Sequence, residues 1–125
     1  MFIKTFGQLN KDMYEECGGK ASHLGELTNL GLNVPPGYTV LGKAYYHHVE
    51  ADNLKEKIRT IVAIIDFDKY KDAENKTQKI RDLIIAAPMP AEIEEEIVKY
   101  YQMLPGEKDP FVAVRSSVAI KDSSI

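Results

Sequence analysis

Apolar positions in this chain follow two periods, near two residues and near 3.6 residues, and the switches between them mark out its elements. Residues 2–6, Phe2-Ile3-Lys4-Thr5-Phe6, alternate and are rich in β-formers, which predicts a short strand. The polar stretch from Gly7 to Glu16 reads as a loop. From Gly18 to Asn29 a helical spacing takes over, carried by Ala21, Leu24, Leu27 (or Thr28) and Leu30. Gly31 stands where a glycine cap belongs, and Pro35-Pro36 forbid continuation. A second strand is expected over Gly37-Tyr38-Thr39-Val40-Leu41, entered through the proline turn.

Helical patterning dominates the middle of the chain. Residues 43–50 predict a short helix. Asn53 followed by Glu56 has the form of a capping box, opening a helix with Leu54, Ile58, Ile61, Val62 and Ile65 on one face. After the charged connection Asp66–Asp72, a third long helix directs Ala73, Ile80, Leu83, Ile84 and Ala87 inward. Pro88-Met89-Pro90 ends it, because the residue before a proline is pushed out of α geometry. Pro90 suits the first turn of the next helix, whose acidic start (Glu92, Glu94, Glu95, Glu96) complements the helix dipole. Ile93, Ile97, Tyr100 or Tyr101, and Leu104 form its apolar stripe before Pro105-Gly106. Phe111-Val112-Ala113-Val114 reads as a buried strand. Three short strands with four to five helices packed on a small sheet make the expected fold class α+β, with no internal repeat, low-complexity region or linker.

Composition narrows the functional classes. At 125 residues the chain suits one domain able to bury a core. Apolar content of 44% and charged content of 28% are ordinary for a globular protein. A net charge of −3 argues against a general nucleic-acid binder. No stretch approaches the roughly 20 apolar residues of a membrane span, and no signal peptide follows Lys4. The lone Cys17 cannot form an internal disulfide. A cytoplasmic protein is expected.

Two clusters could carry chemistry. Gly18-Gly19-Lys20 enters a helix, where free N–H groups and the positive end of the dipole favour an anion. Glycine lets a phosphate approach the backbone, and the lysine adds a mobile charge. The Walker A pattern is absent, and a plain loop before a helix with a solvated lysine is the bland alternative. Val114-Arg115-Ser116-Ser117 places a guanidinium, which matches phosphate oxygens bidentately, beside two hydroxyls. Its bland alternative is an arginine paired with a carboxylate.

Taken together the motifs resemble a known family. Gly18-Gly19-Lys20-Ala21-Ser22-His23-Leu24-Gly25-Glu26-Leu27 looks like a Gly-Gly-Lys-x-Ala-x-Leu-Gly-Glu-Met/Leu opening. Gly31-Leu32-Asn33-Val34-Pro35-Pro36-Gly37-Tyr38 is similar to Gly-x-x-Val-Pro-Pro-Gly-Phe, and Ala113-Val114-Arg115-Ser116-Ser117 to Ala-Val-Arg-Ser-Ser. This is the pattern of the phosphoenolpyruvate synthase and pyruvate phosphate dikinase group, with rifamycin phosphotransferases as relatives. The resemblance covers nearly the whole chain and implies the N-terminal portion, residues 1–125, of a truncated ATP-grasp nucleotide-binding domain. It assigns Lys20 and Arg115 to the ATP phosphates, with Gly18, Gly19 and Ser116 in the binding surface. It implies ATP as cofactor, with Mg2+ held by ligands outside this chain. In the complete enzymes a histidine on another domain takes the phosphoryl group and pyruvate, in a further domain, receives it; a homodimer of the full-length enzyme is compatible with this. The fragment alone is expected to bind ATP very weakly and to turn nothing over.

Ser22 and His23 depart from the family pattern, as does Val118-Ala119-Ile120-Lys121-Asp122, which replaces Ala-Thr-Ala-Glu-Asp. The remaining reactive residues read blandly. His47 and His48 are adjacent and so point to different sides of a helix; they and His23 read as surface or packing residues, and no metal ligands are assigned. Cys17 precedes the expected helix start, where a thiol pKa could fall, yet reads as a plain small residue. Tyr45-Tyr46 reads as partial core. Besides an enzyme fragment, two functions stay open: a non-catalytic nucleotide sensor, and a helical interaction module built on the faces of 53–65 and 90–104.

Overall fold

The computed structural model describes residues 1–118. In chain order it contains strand β1 (Ile3–Thr5), helix α1 (Tyr14–Asn29), strand β2 (Tyr38–Val40), and helices α2 (Gly42–Glu50), α3 (Leu54–Val62), α4 (Tyr70–Ala86) and α5 (Ala91–Gln102). The fold is α+β. The chain divides into two compact units, one joining Met1–Tyr45 to Ala91–Ile125 and the other spanning Tyr46–Pro90.

The first unit holds the sheet. β1 and β2 pair antiparallel, with Ile3 opposite Val40 and Thr5 opposite Tyr38. Between them lie 3-10 turns at Phe6–Gln8 and Lys11–Met13, against which α1 packs. The sequence between Gly7 and Glu16 is therefore mostly turn and helix, where a loop is expected: Asn10 accepts from the Asp12 N–H at 2.9 Å and starts the second turn. Leu9, Cys17, Ala21 and Leu41 form the core, with Phe6 and Met13 packed on it.

The buried face of α1 consists of Cys17, Gly18, Ala21, Ser22 and Gly25. The leucine stripe expected there is displaced: Leu24 is half-buried, while Leu27 and Leu30 are exposed. The cause is close approach. A Cβ on Gly25 would lie 2.7 Å from the Leu9 carbonyl carbon, so only a small-residue face can meet that backbone. At the far end, Gly31 takes φ +78, and Leu32 N–H and Gly31 N–H donate to the Leu27 and Thr28 carbonyls at 3.1 and 3.0 Å, the expected glycine cap.

α5 closes this unit through Ile93, which is buried, and half-buried Ile97, Tyr100, Tyr101 and Leu104. Its Glu96 does more than complement the dipole. The carboxylate accepts from Phe2 N–H at 2.7 Å and Ile3 N–H at 3.1 Å and sits 3.5 Å from the N-terminal ammonium. Burial pushes the Glu96 pKa up, but the Phe2 N–H, the ammonium and the Ile3 N–H outweigh it and the net shift is downward. Tyr38 Oη donates to the Ile97 carbonyl at 3.2 Å, and its ring lies 5.8 Å from that of Tyr100.

The second unit is helical. Val49 and Leu54 are its buried apolar residues; Ile58, Ile61, Ile65, Ile80, Leu83 and Ile84 are half-buried. Val62, assigned inward by periodicity, is exposed. The capping box does not form: Asp52 and Asn53 both take left-handed torsions (φ 50 and 60), and the Asn53 side chain makes no cap bond. A left-handed residue turns its side chain away from the first-turn N–H groups that an extended N-cap residue would reach. Asp72 instead organises the α3–α4 connection, accepting from Asp66 N–H at 2.8 Å and from Lys76 Nζ at 2.6 Å. The Lys76 hydrogen bond, with the Asp66 N–H, holds its carboxyl below the usual range.

α3 packs with α4, and α5 with β1. Each of these helices thus makes contacts within its own unit, although Val62 on α3 and Val98 on α5 stay exposed.

Candidate functional site: a broken helix and a returning segment

The helix expected at Gly18 exists, but it starts earlier and breaks there. α1 is two helices joined at Gly18, whose φ of 80 and ψ of 165 lie outside any helical range. Those angles fall in a region essentially reserved for glycine. The break gives the run beginning at Gly19 an N-terminus of its own, the arrangement that favours an anion. Two side chains shape this turn. Ser22, only 1% exposed, donates from Oγ to the Gly19 carbonyl at 3.0 Å. The Tyr14 ring covers Gly19, where a Cβ would lie 3.1 Å from Cε2. Lys20 projects into solvent.

The second cluster reaches this turn by a route that periodicity does not foretell. Tyr101 Oη donates to the Pro110 carbonyl at 2.8 Å and anchors the start of the final segment. Phe111–Val114 is not a buried strand: it has no ladder partner among the described residues, and Phe111 and Val114 are exposed at 107% and 91%. Arg115, Ser116 and Ser117 are also exposed. The backbone then comes back onto α1, so that a Cβ placed on Gly18 would lie 2.8 Å from the Val118 carbonyl oxygen. The fold thereby brings the end of Arg115-Ser116-Ser117-Val118 to the break two residues before Lys20. Among the described residues neither Lys20 nor Arg115 forms an ion pair, so neither charge is neutralised by a carboxylate there. The remaining departures, at residues 119–122, lie outside the described residues.

Other candidates fall away from this site. Cys17 is buried, its Sγ 3.1 Å from the Met13 carbonyl, and burial pushes the thiol pKa up, opposite to a helix-start thiolate. His23 is exposed. His48 Nε2 lies 3.1 Å from the Ile84 carbonyl, a packing role; its Nδ1 is buried with no hydrogen-bond partner. Tyr46 is half-buried as expected, whereas Tyr45 is exposed. A cleft of about 230 Å³ is lined by Phe6, Pro35, Pro36, Tyr38, Tyr100 and Leu104 among others, but by none of the phosphate candidates. No helix among the described residues is long and apolar enough to cross a membrane.

Residues 14–124 match the family described as pyruvate phosphate dikinase, AMP/ATP-binding domain. The chain is 40% identical over 126 aligned positions, with 97% of it covered, to a "Probable phosphoenolpyruvate synthase" of Staphylothermus marinus. It is 37% identical, again with 97% covered, to one from Methanocaldococcus jannaschii, and 38% identical, with 85% covered, to a phosphoenolpyruvate synthase of Aquifex aeolicus. It spans 15%, 10% and 13% of the length of these three relatives.

Proposed function

Because the chain belongs to the pyruvate phosphate dikinase AMP/ATP-binding domain family, we propose that it supplies part of the ATP-phosphate surface of a phosphoenolpyruvate synthase-type phosphotransferase. The observation that carries this reading is the return of the Arg115–Val118 segment to the helix break at Gly18, just ahead of Lys20. On this reading Lys20 and Arg115 hold the phosphate oxygens, Gly19 opens the helix toward them, and the Ser116 hydroxyl adds a donor. Phosphoryl transfer depends mainly on positioning and on countering charge over the equatorial oxygens, which two cations accomplish without covalent chemistry.

The domain is of the ATP-grasp type on this proposal, and the complete enzyme passes the phosphoryl group to a histidine and then to pyruvate, both outside this chain. Among the described residues no group of three or more His, Cys, Asp or Glu side chains could hold a metal ion. No step through Mg2+ is assigned to the described residues.

Titration of the 15N-labelled chain with millimolar ATP tests the reading. Amide resonances of Gly19–Ala21 and Arg115–Ser117 are expected to move together. Lys20→Ala and Arg115→Ala should each weaken the response about tenfold or more, as expected when a hydrogen bond to a charged group worth roughly 1.5–3 kcal/mol is lost. A spectrum unmoved by ATP, or a response that both substitutions leave intact, would sink the proposal.

A further inference from the structure

The contact at Gly18 has a direction that motif reasoning reverses. Motif reasoning gives this glycine to an approaching phosphate, yet its open face is occupied by protein. A Cβ there would stand 2.8, 3.2 and 3.4 Å from the carbonyl oxygen, amide nitrogen and carbonyl carbon of Val118. All three are backbone atoms, which cannot swing aside as a flexible side-chain end can. Val118 as a residue is meanwhile 68% exposed, and the atoms that meet Gly18 are all main-chain atoms.

Gly18 answers two separate demands. Its torsions, φ 80 and ψ 165, exclude other residues on backbone grounds. The Val118 backbone excludes them again on steric grounds. The other positive-φ glycines separate these effects: Gly31 (φ +78) and Gly106 (φ +121) have nothing within 4 Å of a Cβ. Only at Gly18, among the three, does the missing side chain make room for another part of the chain.

We propose that Gly18 is a positioning residue whose bare α-carbon seats the Val118 backbone, tying the segment that carries Arg115 to the helix break before Lys20. A ligand on this turn then meets Gly19 and Lys20, while Gly18 holds the opposing segment in place. The functional consequence rests on the nucleotide-binding reading above; the seat itself stands on the geometry.

The wild-type chain provides the first measurement, a nuclear Overhauser contact between the Gly18 Hα protons and the Val118 amide, which is expected. Gly18→Ala should abolish that contact and shift the Arg115–Val118 amides, while Gly31→Ala, with the same sign of φ but open surroundings, leaves them in place. Val118→Ala should preserve the main-chain contact. Absence of the contact in the wild-type chain overturns the proposal even if Gly18→Ala fails to fold, and so does a folded Gly18→Ala chain whose Arg115–Val118 amides do not move. A wild-type chain that shows the contact but ignores ATP supports the seat and removes only the nucleotide reading.

Discussion

The two units achieve order by opposite means. The unit of Met1–Tyr45 with Ala91–Ile125 is assembled from distant stretches: β1 on β2, Glu96 on the amides of Phe2 and Ile3, the Val118 backbone on Gly18. The unit of Tyr46–Pro90 is one continuous helical stretch, knit by near-neighbour pairs such as Lys76–Asp72 and Arg59–Glu56 and by half-buried aliphatics. Both candidate phosphate clusters sit in the first unit. The difference teaches that a site drawn from two ends of a sequence depends on long-range packing, because local helix formation cannot bring such ends together.

Four substitutions would break or sharpen this contrast. The largest effect is expected for Leu9→Ala. Leu9 is 1% exposed at the centre of the first core, and its truncation should cost about 3 kcal/mol through lost burial and a cavity. The half-buried Ile61 in the second unit should cost about 1 kcal/mol on the same change, since less area leaves water. Denaturant midpoints measure both, and equal losses would abolish the contrast.

Glu96→Gln should come next, at about 1 kcal/mol near neutral pH, because hydrogen bonds to a charged acceptor exceed those to a neutral one. The sign of its pH dependence follows from the lowered pKa in the folded chain. The contribution is complete above the ordinary glutamate value of 4.5 and is lost as pH falls through the lower folded value. Stability curves of the wild type and Glu96→Gln should therefore converge in acid; a gap that persists there would assign the effect to packing. The smallest effect belongs to Arg59→Ala, whose ion pair with Glu56 is exposed on both sides, and whose loss should stay below about 0.5 kcal/mol. A larger loss would mean that surface pairs contribute materially to the second unit.

Much of the architecture was legible in the pattern. The strands at both ends of the first helix, the glycine cap at Gly31, and the helices expected at 43–50, after Asp72 and over 90–104 follow from period, caps and prolines, which act locally, although α4 already begins at Tyr70, inside the charged connection Asp66–Asp72. The exceptions have separate causes. Leu27 and Leu30 are exposed while Gly25 is buried, because the Leu9 backbone comes too close there for any side chain. Phe111–Val114 has the composition of a strand, but a strand needs a ladder partner, and composition does not supply one. Asn53 and Glu56 have capping-box identities, but the torsions at Asn53 come from the tight α2–α3 junction. In the site, Lys20 and Arg115 were readable as residue types suited to phosphate. Ser22 stood out as a departure from the family pattern, although its buried bond to Gly19 did not.

The amino-acid sequence by itself determined most of the elements, the family and the two cationic motifs, because propensity, capping and motif identity reside in residues a few positions apart. Only the tertiary structure decided that Gly18 breaks the helix, that it serves as a seat for Val118, and that the Arg115 segment returns to it. Those outcomes depend on where a main chain about a hundred residues away comes to rest, and on the exclusion of a single methyl group from that spot.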